Sequence, residues 1–140
     1  MLKRNVLSTA ARNALPSGIR RMHELAKNYD DAINLTLGEP GFVAPDHVIE
    51  AAIKGLRDGK TKYTPNAGIR ELREAIAWKL KTENGITCDP EKNLIVTAGA
   101  TQALMLVMVT LVNPGDEVII QGPNWPDYRG QIDMVNGKTV

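Results

Sequence analysis

Asn93-Leu94-Ile95-Val96-Thr97-Ala98-Gly99-Ala100-Thr101-Gln102-Ala103-Leu104 is the stretch around which the chain is organised. Leu94, Ile95 and Val96 form a short β-rich run that predicts a buried strand, and Ala98, Gly99 and Ala100 offer almost no side chain, so a ligand could approach the main chain closely. From Ala103 to Val112 the residues are apolar on nearly every face, and the length of that run predicts a core helix rather than a long strand. A helix start carries free N–H groups and the positive end of the peptide dipole, so Gly99, Ala100 and Thr101 could hold a phosphate by main-chain bonds, with the Thr101 hydroxyl adding one more. The same spacing suits a strand-to-helix turn that binds nothing, and neither G-x-G-x-x-G nor G-x-x-x-x-G-K-[ST] is present.

The 140 residues can bury one core, and 43% hydrophobic with 24% charged residues is the composition of an ordinary soluble domain. A net charge of +1 gives no reason to expect nucleic acid. No apolar run approaches about 18 residues, which argues against a membrane span. Cys88 is the lone cysteine, which fits a reducing, cytoplasmic compartment and a packing or surface role. His23 and His47 have no partner at metal-ligand spacing, so no metal site is expected.

Working outward, Met1 to Arg21 is basic without an acidic residue, a composition shared with targeting peptides. Leu15-Pro16-Ser17-Gly18 nevertheless reads as a helix start, and Ile19, Met22, Ala26 and Tyr29 recur at helical spacing, giving an arm followed by an amphipathic helix. Ile33 to Leu37 alternates as a half-exposed strand does, ending at Gly38-Glu39-Pro40-Gly41. Gly38 could let main chain approach a ligand, but a plain turn glycine explains the spacing as well. Pro45-Asp46 opens a helix that Gly59 stops. In the following loop Tyr63 is the only aromatic, with packing as its default role and a hydroxyl offered to a ligand as the other. Ile69, Leu72, Ile76 and Leu80 stripe a further helix closing at Gly85, with Arg70, Glu71, Arg73, Glu74, Lys79 and Lys81 expected to face water. A boundary is placed near the Asp89-Pro90 turn.

Beyond the central unit, Asn113-Pro114-Gly115-Asp116 ends the core helix and Glu117 to Gln121 is a second strand, whose carboxyl end delivers Trp125. Ligands of open α/β sheets sit at such ends, so Trp125 could lie flat over a planar ring, or be wedged against the sheet edge. Arg129 to Val135 predicts a helix, and Gly137 to Val140 the lead-in to a third strand; a chain ending there is expected to be a piece of a longer protein.

In order and at familiar spacing, Leu37-Gly38-Glu39-Pro40, Tyr63-Thr64-Pro65 with Gly68 and Leu72-Arg73, Thr97-Ala98-Gly99-Ala100, Pro114-Gly115-Asp116-Glu117-Val118 and Pro123-Asn124-Trp125-Pro126-Asp127-Tyr128 resemble the fold-type-I pyridoxal-phosphate aminotransferases, in the branch that includes aspartate aminotransferases. The resemblance implies an α/β fold and the N-terminal portion of the pyridoxal-phosphate-dependent transferase architecture. Residues 1–16 would be an N-terminal arm, 17–90 helices and loops belonging to part of the small domain and the dimer interface, and 91–140 the start of the large mixed-sheet domain. It further implies that pyridoxal 5′-phosphate is the cofactor, that Gly99, Ala100 and Thr101 bind its phosphate, and that Trp125 stacks on its ring and borders the substrate. Tyr63 would reach the phosphate held by the partner subunit of a homodimer, Gly38 would line the pocket for the substrate carboxylate, and the arm would lie on the other subunit.

The substrates implied are an amino acid, with aspartate one candidate, and a 2-oxo acid; nucleic acid and membrane are not implied. None of the chain's lysines lies in a stretch matching the family's Schiff-base lysine motif, so no catalytic residue is expected among these 140 and the chain alone is expected to be inactive. Open strand edges are expected to make it marginally stable or self-pairing. The rival readings are a carbon–sulfur lyase of the same fold, a non-catalytic dimerisation module and, last, an unrelated phosphate-binding α/β domain.

Overall fold

The structure, a computed structural model, describes residues 6–13, 18–33, 35–36 and 38–140. Among the described residues six helices and two short strands are formed in the order α1 (Thr9–Asn13), α2 (Gly18–Ala26), α3 (Asp46–Arg57), α4 (Arg70–Asn84), α5 (Gly99–Leu111), β1 (Glu117–Val118), α6 (Asp127–Met134) and β2 (Lys138–Thr139). They fall into two compact units, Met1–Glu39 with Thr101–Val140, and Pro40–Ala100. No helix among the described residues is long and apolar enough to cross a membrane.

In the first unit β1 and β2 pair in parallel, Glu117 opposite Lys138 and Val118 opposite Thr139. Parallel neighbours need a crossover, and α6 supplies it. The ladder extends past both strands through Ile120 N–H to Val140 O at 3.0 Å and Val140 N–H to Val118 O at 2.9 Å. Ile132 of α6 is the one fully buried large side chain among the described residues. Gly137 is tightly packed, because a Cβ there would stand 2.9 Å from Ile132 Cγ2 and 3.1 Å from Val112 Cγ1 and would force those side chains to shift. At the end of α5 the Asp116 carboxylate accepts from the Asn113 N–H at 2.8 Å and from its side-chain amide at 3.1 Å, closing the turn before β1. Helix α1 is capped by the preceding Ser8, whose hydroxyl accepts the Ala11 N–H at 3.1 Å, and it rests against α6.

In the second unit α3 begins at Asp46 as the Pro45 signal predicts, and α4 ends where Gly85 turns left-handed at φ 69°. Helix α4 departs from the sequence reading in one respect. Arg73, expected to face water, is buried at 7% exposure.

Three further expectations are corrected. Leu94 to Val96 forms no strand: Val96 N–H donates to Ala67 O at 3.0 Å, and no regular ladder follows among the described residues. Ile33, Leu35 and Thr36 are likewise outside any strand, while Asn34 and Leu37 lie outside the described residues. Strand propensity needs a neighbouring strand to become a ladder, and these runs have none among the described residues. Helix α5 forms, but not as a core helix, since it buries no residue fully and exposes Leu106, Val107, Val109 and Leu111.

Candidate functional site

Gly99 opens α5 at φ 78°, a left-handed conformation that a Cβ disfavours, and nothing lies within 4 Å of where that Cβ would stand. The turn is held by the Gly99 N–H donating to Thr97 O at 2.9 Å and the Thr97 hydroxyl donating to Gly99 O at 3.0 Å. The Gly99 N–H is thus engaged, which leaves those of Ala100 and Thr101 at the open end of a 13-residue helix. Gly99, Ala100 and Thr101 are all exposed. Two main-chain donors, a hydroxyl and the positive end of a helix fit a phosphate.

Trp125 follows a turn in which Asn124 Nδ2 donates to Gln121 O at 3.1 Å, and its own carbonyl accepts the Tyr128 N–H at 3.2 Å as α6 begins. At 46% exposure it is neither fully packed nor fully free. The aromatic face fits a planar heterocycle. Gly38 is exposed, with no atom within 4 Å of a Cβ position.

Tyr63 does not follow its packing default. Its side chain is fully exposed, although the loop behind it is tightly fixed. Gly68 N–H donates to Pro65 O at 2.8 Å, and at φ 93° the Gly68 main chain approaches Val96 so closely that a Cβ would stand 2.6 Å from Val96 Cγ2. Arg73 completes the clamp. Its guanidinium donates to Gly68 O at 3.2 Å, to Pro90 O, and to both oxygens of Glu91 at 3.3 and 3.2 Å. One rigid fork therefore joins the Tyr63 loop to the segment that leads into Gly99. Nearby, the hydrogen bond from Arg70 to Glu74, followed by the charges of Glu74 and Glu91, holds the Arg70 proton more tightly than usual.

The family model for class I and II aminotransferases matches residues 30–140. The chain belongs to that family. It is 46% identical over 133 residues to a probable aspartate aminotransferase of Methanocaldococcus jannaschii, the match covering 95% of this chain and 35% of that protein. It is 47% identical over 117 residues to the aspartate/prephenate aminotransferase of Thermus thermophilus, covering 84% and 30%. The solved aspartate aminotransferase of Thermus thermophilus with maleate superposes with a TM-score of 0.88 at 41% identity, over 98% of this chain and 37% of that one. This aminotransferase-family chain thus spans about a third of the length of the relatives it matches, and its fold is part of the α/β fold of those enzymes.

Two residues with structural roles at these elements escaped sequence reading. Arg73 lies four residues after Ile69 and three before Ile76, on the apolar stripe itself, and only its charge suggested water. Gln131 of α6 is buried, its Nε2 donating to Thr101 O at 2.9 Å. It shares a helical face with Tyr128 and Val135, a spacing that would have placed it inward.

Proposed function

We propose that this chain is part of a pyridoxal-phosphate-dependent aminotransferase that moves an amino group from an amino acid, aspartate being the first candidate, to a 2-oxo acid. The observation that carries the reading is the exposed start of α5, where Gly99 turns left-handed and presents the Ala100 and Thr101 N–H groups. Bound pyridoxal phosphate would supply an electron sink for the carbanion formed at the substrate's α-carbon. Ala100 and Thr101 would hold its phosphate, with Gly99 shaping the turn, and Trp125 would lie flat against its ring. Gly38 would border the substrate carboxylate through its main chain. Tyr63, exposed on a braced loop, would donate its hydroxyl to the phosphate in the partner subunit of a homodimer. Residues 1–16 would serve as the arm, 17–90 as part of the small domain and dimer interface, and 91–140 as the start of the large domain. The compartment that suits this metabolism is the cytoplasm.

The test is to titrate pyridoxal phosphate into this chain and into a full-length version carried to the length of its relatives, following cofactor absorbance and transamination. The full-length version is expected to take up cofactor and turn over, and the 140 residues alone not to turn over, since no lysine here matches the cofactor-bearing motif. Turnover by the short chain, with a borohydride-reducible adduct on one lysine, would place the chemistry in these residues. Failure of both to take up cofactor would remove the cofactor reading.

A further inference from the structure

We infer that Gln131 is a positioning residue which sets the distance between the phosphate-binding start of α5 and the ring-stacking Trp125; this rests on the cofactor reading above. Its side chain is 7% exposed, and its Nε2 donates to the carbonyl of Thr101, in the first turn of α5. Its Oε1 is buried with no hydrogen-bond partner among the described residues. An apolar side chain of the same length would fill this position without stranding an acceptor, so packing does not explain an amide here. The bond to Thr101 does.

A second contact fixes the direction. Gly137, six residues after Gln131, stands against Val112 at the far end of α5. Contacts from Gln131 to Thr101 and from Gly137 to Val112 run in the same order along both segments. Trp125, preceding Gln131, therefore comes from the end of α6 that lies toward the start of α5. The bond from Gln131 to Thr101 is a directional polar tie between α6 and the first turn of α5, which a slide of one helix past the other would break, whereas apolar contacts are non-directional. A cofactor gripped at its phosphate and its ring would feel that slide; a ligand gripped at one point would not.

The experiment measures, in the full-length version, equilibrium dialysis of two probes. Pyridoxine 5′-phosphate has the ring and the phosphate but no aldehyde, so it binds without a lysine; inorganic phosphate has one point of attachment. In Gln131→Met the dissociation constant for pyridoxine 5′-phosphate is expected to rise about ten-fold, while that for inorganic phosphate moves less than about two-fold. Gln131→Asn keeps an amide but withdraws it by one methylene, and the same selective loss is expected if the Met variant fails to fold. Ile132→Val, on the same helix, is expected to lower the melting temperature and leave the ratio of the two constants unchanged. Equal losses for both probes in the Gln131 variants, or no loss, overturn the positioning role. A wild-type protein that binds pyridoxine 5′-phosphate no better than phosphate overturns the cofactor reading itself, and the positioning role with it.

Discussion

At the scale of single residues, Arg73 and Gly68 determine how the Tyr63 loop is held. Replacing Arg73 by Met removes a charged donor from two main-chain carbonyls, and hydrogen bonds of that kind contribute about 1.5–3 kcal/mol each when buried. Arg73→Met is therefore expected to destabilise the chain by about 2–4 kcal/mol in urea unfolding. Arg73→Lys should recover only part, because an ammonium cannot span Gly68, Pro90 and Glu91 at once. Gly68→Ala meets both a left-handed φ of 93° and the Val96 side chain at 2.6 Å. Combining it with Val96→Ala should relieve the clash but not the backbone strain, so the pair is expected to be non-additive by about 1 kcal/mol in a double-mutant cycle. Additivity would mean the two residues are not in contact.

At the scale of elements, two helix-terminal glycines separate strain from function. Gly85 ends α4 at φ 69° and Gly99 opens α5 at φ 78°, each with open space at the Cβ position. Alanine at either is expected to cost about 1–2 kcal/mol of stability through the left-handed backbone alone. Only Gly99→Ala should also weaken phosphate binding, since its methyl group projects at the open end of the helix; equal phosphate affinity in both variants would argue against a site there. In α2 the bond from Lys27 holds the Glu24 carboxyl below its usual range. That pair contributes above the ordinary carboxylate range, and its contribution is lost as the pH falls through the lowered value. Both partners are exposed, so that contribution is small, and the acid-unfolding midpoints of Glu24→Gln and wild type should nearly coincide.

At the scale of the whole molecule, few apolar side chains are buried among the described residues. Ile132 is the only buried hydrophobic side chain among the described residues, while Leu106, Val107, Val109 and Leu111 of α5 and Trp78 of α4 are exposed. Surfaces of this kind associate. The 140-residue chain is expected to sediment with a concentration-dependent mass and to enhance the fluorescence of a hydrophobic dye, both effects diminishing in a full-length version. A monodisperse, dye-silent monomer would contradict this.

The sequence by itself determined the helices and their ends, because their signals are local: Pro45 and Asp46 before α3, Gly85 after α4, and apolar spacing within each. It also singled out Gly99, Thr101, Trp125 and Tyr63 as candidates, since a small-residue turn between apolar segments and isolated loop aromatics are visible in one dimension. Tertiary structure alone decided what each side chain meets. Arg73 could be recognised as a clamp only when Gly68, Pro90 and Glu91 converged on it, and Gln131 only when α6 came to lie on the first turn of α5. The same holds for the strands. Glu117 and Val118 found Lys138 and Thr139, whereas Leu94 to Val96 found one acceptor, and a ladder is a property of pairs of segments rather than of either one.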